Sequence, residues 1–289
     1  MSGFAGLRVL ALESRRGPEL AKLIATYGGE PVVAPAMREV PLESNKEALA
    51  FAAGLLAGEF DMVIFLTGVG ARALLSVVET AYKRDEYIAA LQRVSVVPRG
   101  PKPVAVLREL GVTPAITVPE PNTWRELLLG LDEAGATREE LRLRGARVAV
   151  QEYGVPNPEL LAGLFERGAQ VTRVPVYQWA LPEDLAPLHA VIRTLAAGEI
   201  DVVLFTTSVQ VAHLFQVAAE MNLEESMRQG LSRAIVASIG PTTSEELQRR
   251  GIRADLEPSH PKMGFLVKEA AERSAELLRR KRQGIASAD

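Results

Sequence analysis

The 289-residue chain contains no cysteine and only three histidines, His189, His213 and His260, which stand far apart and form no HExxH pair. Thiol nucleophiles, disulfides and thiolate metal sites are excluded, and no metal site is expected from histidines at such spacing. Without a GxSxG elbow, Ser14, Ser208 and Ser244 read as helix caps rather than nucleophiles. No GxxxxGK[ST] occurs and no GxGxxG follows the first strand, so the main signal for nucleotide phosphates is missing. What remains is a set of short loops holding glycine, hydroxyls and a few cations. They are Glu13 to Pro18 with Arg15 and Arg16, Thr67 to Gly70 with Thr67, Gly68 and Val69, Pro98 to Pro101 with Gly100 and Pro101 and the following Lys102, Pro119 to Thr123, Glu152 to Asn157, Thr206 to Gln210 with Thr206, Thr207 and Ser208, Gly240 to Ser244 with Gly240, Thr242 and Thr243, and Glu257 to Pro261. Such loops suit anions: N–H groups at a helix start carry the positive end of the helix dipole, and hydroxyls and cations add hydrogen bonds. Tyr177, in VPVYQW, lies on a proline-bracketed extended segment, where an amphipathic-strand aromatic with a wet hydroxyl is its plainer reading.

The elements that must carry these loops are legible from apolar runs. Leu7 to Leu12, Pro31 to Ala34, Met62 to Leu66 and Val94 to Val97 are nearly continuous apolar blocks, as are Arg147 to Val150, Val171 to Val176, Val202 to Phe205, Ala234 to Ile239 and Ile252 to Leu256. Continuous blocks indicate strands covered on both faces and hence parallel sheets. Helices are expected between them, including Pro18 to Tyr27, Asn45 to Leu56, Pro158 to Arg167 and Thr242 to Arg250, and several helices are opened by proline and closed by glycine, as at Gly28, Gly111, Gly168 and Gly251. The fold class is α/β, with two doubly wound parallel-sheet domains. In such sheets ligands sit at the carboxyl ends of strands, where the loops above fall.

The chain also repeats itself at an offset of 140 residues. Leu55, Ala57, Gly58, Glu59, Asp61, Val63, Phe65, Thr67, Val69 and Leu74 recur as Leu195, Ala197, Gly198, Glu199, Asp201, Val203, Phe205, Thr207, Val209 and Leu214. A period this long marks a duplicated domain rather than a solenoid. Differences between the copies point to a site, because Tyr177 stands opposite Met37, Thr242 and Thr243 opposite Lys102 and Pro103, and Ser208 opposite Gly68. Polar side chains gather in the second copy, as expected of an asymmetric cleft between two lobes. Glu13 and Glu152 follow the first strand of each copy, where loop or cap chemistry is their expected role. The division is either contiguous, near residue 140, or interleaved, if the proline-bracketed segments Pro35 to Leu42 and Pro175 to Pro182 cross between lobes. The charged stretch Thr137 to Gly145 reads as helical, and Arg279 to Asp289 as a frayed tail.

Bulk composition narrows the partners. With 33 basic and 36 acidic residues the net charge is -3, so no global field recruits nucleic acid or an anionic membrane. No apolar run approaches the roughly 20 residues of a membrane span, and the start lacks the pattern of a signal peptide. Cytoplasm is the default location, and a monomer is expected.

Taken in order, FLTGVGARAL and FTTSVQVAHL, the paired RGPKPVAVLRELG and IGPTTSEELQRRG, EPSHPKMGFL and VPVYQW resemble the uroporphyrinogen-III synthase family over about residues 5 to 270. That resemblance implies two flavodoxin-like domains, residues 1–37 with 181–289 and residues 43–172, joined by a two-stranded ladder of residues 38–42 and 173–180. It implies a cofactor-free cyclisation of linear hydroxymethylbilane with inversion of the last pyrrole ring. Tyr177 matches the family's tyrosine, which implies a catalytic role at the departing hydroxyl. Thr242 and Thr243 match the G-x-T-T element, and Thr207 the hydroxyl residue after the second-copy strand. In the first copy Pro103 and Gly68 to Gly70 depart from the pattern, so backbone contacts are expected there. A two-lobed protein that binds or senses a small anion without reacting is the alternative.

Overall fold

A computed structural model describes residues 3–42, 44–152, 154 and 156–283. Each copy folds into the same succession of elements. The first runs β1 (Arg8–Ala11), α1 (Gly17–Thr26), β2 (Glu30–Val33), β3 (Arg38–Pro41), α2 (Lys46–Leu56), β4 (Met62–Phe65), α3 (Gly68–Val78), α4 (Arg84–Leu91), β5 (Ser95–Pro98), α5 (Pro101–Glu109) and α6 (Trp124–Thr137). After a short 3-10 turn at Glu139–Leu141, the second runs β6 (Arg147–Gln151), α7 (Pro158–Glu166), β7 (Gln170–Val174), β8 (Tyr177–Ala180), α8 (Ala186–Ala196), β9 (Val202–Phe205), α9 (Ser208–Glu220), α10 (Glu224–Arg233), β10 (Ile235–Ser238), α11 (Pro241–Arg249) and α12 (Met263–Arg282). Proline occupies the first turn of α1, α5, α7 and α11, where its missing N–H would have no helical partner. Gly28 and Gly168, just beyond α1 and α7, take φ of 74° and 83°, which glycine adopts without a Cβ penalty.

Strand pairing exchanges the two copies. One sheet has the order β10-β9-β1-β2 and the other β5-β4-β6-β7, so the first βα unit of each copy pairs with strands of the other. All recorded pairs in both sheets are parallel, with Val9 opposite Val202 in one and Met62 opposite Val148 in the other. The chain accordingly forms two compact units, residues 1–38 with 180–289 and residues 39–179. β3 and β8 pair as a two-stranded sheet where the chain passes between the units.

An aspartate starts the central pairing in each unit. Asp201 Oδ2 accepts the main-chain N–H of Arg8 at 2.9 Å, and Asp61 Oδ2 accepts that of Arg147 at 2.9 Å. Side chains then alternate between the faces of each sheet. In the first unit Leu10, Val203, Phe205 and Val236 pack on one face with Leu188, Leu214 and Leu247, while Val9, Ala11, Val202 and Leu204 pack on the other with Leu20, Ile24 and Leu266. The second unit is built likewise, with Val63, Phe65 and Ala149 on one face and Ile64, Val148 and Val150 on the other. Each such buried side chain contributes roughly 2 kcal/mol. Both faces being covered is the physical reason these strands read as continuous apolar blocks.

Four expectations need correction. Residues Ile252 to Leu256 do not form a strand: only Leu256 bridges Ala237, and the Asp255 side chain takes the Val236 N–H at 2.8 Å in place of a ladder bond. Arg173 and Val174 belong to β7, opposite Val150 and Gln151, so the linker strand begins at Tyr177 rather than at residue 173. The stretch Thr137 to Gly145 leaves the helix at Thr137 and makes only the 3-10 turn. The basic tail is helical through Arg282, because Lys281 Nζ bonds Asp255 Oδ2 at 2.7 Å and Arg282 bonds Asp201 Oδ1 at 2.9 Å. The remainder of that tail, 284–289, lies outside the described residues, as does Glu43 at the expected start of the second domain.

Candidate functional site

In each sheet the chain leaves the two central strands toward opposite edges, which makes a switch point at their carboxyl ends. In the first unit that point lies between β1 and β9. Thr206 Oγ1 donates to Glu13 Oε2 at 2.6 Å across it. The buried Gln210 braces the same threonine: its Oε1 accepts from Thr206 N at 2.8 Å, and its Nε2 donates to Thr206 Oγ1 at 2.8 Å. Thr207 is the N-cap of α9 with an extended backbone and no side-chain cap, and Ser208 is the first helical residue. On the adjacent strand β10, Gly240 is the N-cap of α11, again without a side-chain cap, with Thr242 half-buried and Thr243 buried. Ser238 supports that turn, its Oγ lying 3.0 Å from the Gly240 carbonyl oxygen, to which it donates. Thr206, Thr207 and Ser208 thus stand beside Gly240, Thr242 and Thr243 on neighbouring strand tips, since β9 and β10 pair in register.

Arg15 and Arg16 follow β1 and are exposed. Arg16 is turned toward its own helix, with Nε 2.7 Å from Glu19 Oε2 and a second contact to Glu19 Oε1. The bond from Glu19 raises the Arg16 guanidinium above its ordinary value, so the group stays charged. Ser14, Ser208 and Ser244 are not side-chain caps: the N-caps of α1, α9 and α11 are Arg16, Thr207 and Gly240, and Ser244 donates to Glu257. His213 is not simply solvated, since its Nδ1 lies 2.8 Å from the Ala36 carbonyl oxygen. Among the described residues no group of three or more His, Cys, Asp or Glu side chains could hold a metal ion.

In the second unit the switch point lies between β4 and β6. Thr67 is the N-cap of α3, and its Oγ1 accepts the Gly70 N–H at 3.0 Å. Gly68 is buried and Val69 exposed. α5 begins on the adjacent strand tip with Gly100 as N-cap, Pro101 in the first turn and Lys102 exposed, and it has no side-chain cap. Gly100 and Pro101 border a groove of about 640 Å³ whose wall includes Arg108, Thr117, Pro119 and Asn122. Glu152, 3% exposed, receives the Arg173 guanidinium at 2.7 and 3.0 Å, which raises the arginine above its ordinary value. Glu13 and Glu152 are therefore a hydroxyl acceptor and half of an ion pair rather than helix caps.

Tyr177 opens β8 and is only 4% exposed. It belongs to the same core cluster as Phe65, Val174 and Val176, and its ring meets Trp179 edge-on, with centroids 5.4 Å apart. Its hydroxyl lies 3.5 Å from Thr67 Oγ1. Burial of the ring fixes where the phenol can reach, and the contact places it at the start of α3. Two further residues of these turns, Gln151 and Gln210, were not singled out by sequence reasoning. The available signal was the repeat itself, in which Gln210 stands opposite Gly70.

A family model described as uroporphyrinogen-III synthase HemD matches residues 18–268. The chain is 33% identical over 271 residues to the Bacillus subtilis protein named Uncharacterized protein YjjA, covering 93% of this chain and 97% of that one. It is 31% identical over 244 residues to a Methanothermobacter thermautotrophicus protein provisionally named uroporphyrinogen-III synthase, covering 83% and 87% respectively. A crystal structure of a mutant uroporphyrinogen III synthase from Thermus thermophilus superposes with a TM-score of 0.72 over 94% of this chain and 100% of that one, at 24% identity. At that identity the likeness speaks for the fold. No described helix is long and apolar enough to cross a membrane.

Proposed function

Because the chain belongs to the uroporphyrinogen-III synthase family, we propose that it closes linear hydroxymethylbilane to the macrocycle with inversion of the last pyrrole ring, a lyase reaction. The C–O bond of the first ring's hydroxymethyl group breaks and the hydroxyl leaves as water. The substituted carbon of the last ring attacks the carbon left behind, forming a spiro intermediate that rearranges and loses a proton. Free bilane closes unaided to the unrearranged isomer, so the protein's task is to hold a fold of the chain in which that closure is out of reach.

The observation that carries this reading is the placement of Tyr177: a buried ring whose hydroxyl stands beside Thr67 at the start of α3. Tyr177 hydrogen-bonds to or protonates the departing hydroxyl. The substrate's eight carboxylates pair with main-chain N–H groups at helix starts; of α3, α5, α9 and α11, three have no side-chain cap. Thr67, Thr207, Thr242 and Thr243 add hydroxyls, and Arg15 and Lys102 add charge. Arg16, engaged with Glu19, is the weakest of the expected contacts.

Incubating the pure protein with hydroxymethylbilane and separating the products tests the proposal. The rearranged isomer should dominate; a product ratio equal to that of bilane alone would leave only the binding alternative.

A further inference from the structure

Gln151 ends β6 with its side chain fully buried. Its Nε2 donates to the Glu152 carbonyl, and among the described residues Oε1 has no hydrogen-bond partner. The amide lies against Gly70 in the first turn of α3, so closely that a Cβ on that glycine would collide with it. In the other unit the arrangement is exchanged. Gln210 holds the helix position of Gly70; Leu12 follows Ala11, opposite Leu204, as Gln151 follows Val150, opposite Ile64; and the Gln210 amide braces the turn from the helix side at 2.8 Å. Both units therefore set a buried amide at the first turn of the helix after the central strand, one from the strand and one from the helix.

We propose that Gln151 is a positioning residue for Tyr177. Its amide fixes the height of the first turn of α3, where the Gly70 N–H holds Thr67 Oγ1 and Thr67 Oγ1 faces the Tyr177 hydroxyl at 3.5 Å. Leucine at 151, as at position 12, ends one atom shorter and has no amide, so the glycine, without a side chain of its own, would lose the group it rests against. The turn would then settle inward and carry Thr67 away from the phenol. The inference rests on the reading of Tyr177 as the group that meets the departing hydroxyl.

The test compares Gln151→Leu with the exchange variant Gly70→Gln/Gln151→Leu, which transplants the other unit's arrangement. Gln151→Leu should lower kcat at least about tenfold with KM changed less than about threefold, because orientation rather than binding is lost. It should also shift the Tyr177 ring resonances, assigned by their disappearance in Tyr177→Phe. The exchange variant should return kcat to within about threefold of wild type and restore those resonances, a recovery that mere loss of packing would not produce. Unchanged kcat and ring resonances in Gln151→Leu, or an exchange variant that folds yet stays as impaired, would overturn the proposal. Should Gln151→Leu not fold, Gly70→Ala, which presses a methyl onto the amide, serves the same readouts. A wild-type protein without synthase activity would sink the functional reading, while the ring resonances would still decide the positioning.

Discussion

Gly68 lies against the main chain of Lys102, so that a Cβ on the glycine would stand 2.7 Å from the lysine carbonyl oxygen. The first turns of α3 and α5 meet backbone to backbone, whereas the matching turn of the other unit carries Ser208. A side-chain contact to substrate is impossible at position 68, which leaves the N–H groups of that turn. Gly68→Ser should destabilise the protein by about 1–3 kcal/mol through overpacking. Ser208→Gly should cost about 1 kcal/mol or less. Urea denaturation measures both, and the reverse order would refute the close approach.

Tyr177→Phe keeps the buried ring and removes only the hydroxyl. Turnover should fall roughly 10- to 1,000-fold, the range in which a general acid contributes, with the thermal midpoint nearly unchanged. Full activity in a coupled synthesis assay would remove Tyr177 from the chemistry.

Asp61 accepts three bonds from Arg147: the main-chain N–H at 2.9 Å, Nε at 3.0 Å and Nη2 at 2.7 Å. The side-chain bonds from Arg147 hold the carboxyl below its usual range, against an opposing desolvation. A carboxyl depressed in the folded state adds stability that is present above the unfolded value of about 3.9 and is lost as pH falls through the folded value. Asp61→Asn should therefore melt below wild type at pH 7, with the gap closing as pH drops below about 4. The pair is half exposed, so the gap should be small and should shrink in salt. Paired thermal melts from pH 7 to pH 2.5 decide it, and a constant gap would contradict the assignment.

Tyr87 is buried in the second unit, and its hydroxyl has no hydrogen-bond partner among the described residues. Burial pushes the phenol above its ordinary value. A phenol raised in the folded state by burial leaves stability unaffected below the unfolded value, here about 10, and lowers it as pH rises above that value. Tyr87→Phe should be neutral or more stable by about 1 kcal/mol at pH 7, since an unsatisfied hydroxyl is removed. It should also lose less stability than wild type between pH 9 and pH 11. Chemical denaturation at the three pH values provides the check, and a loss above about 1 kcal/mol at pH 7 would reveal a partner for the hydroxyl.

Much of the fold was legible because its signals are local. Met62–Phe65 and Val202–Phe205 read as strands from four adjacent apolar residues, and Pro158 and Gly168 bracket α7 through their own backbone preferences. The segment Ile252 to Leu256 has the same apolar look, but Asp255 engages the Val236 N–H from far back in the chain, and composition does not register such competition. The tail was misread for a similar reason: Arg279 to Arg282 looks like solvated charge until Asp201 and Asp255 supply partners.

By itself the sequence determined that there are two copies of one βα pattern and which loops follow which strands, because apolar runs, prolines, glycines and a fixed offset act within a few residues or repeat outright. Tertiary structure alone decided the register, Val9 opposite Val202 and Met62 opposite Val148, and that the amide beside α3 comes from β6 rather than from the helix. Strand partners and shared space are set by contacts between residues far apart in the chain. Gln151 and Gly70 become intelligible only once the sheet has brought them together.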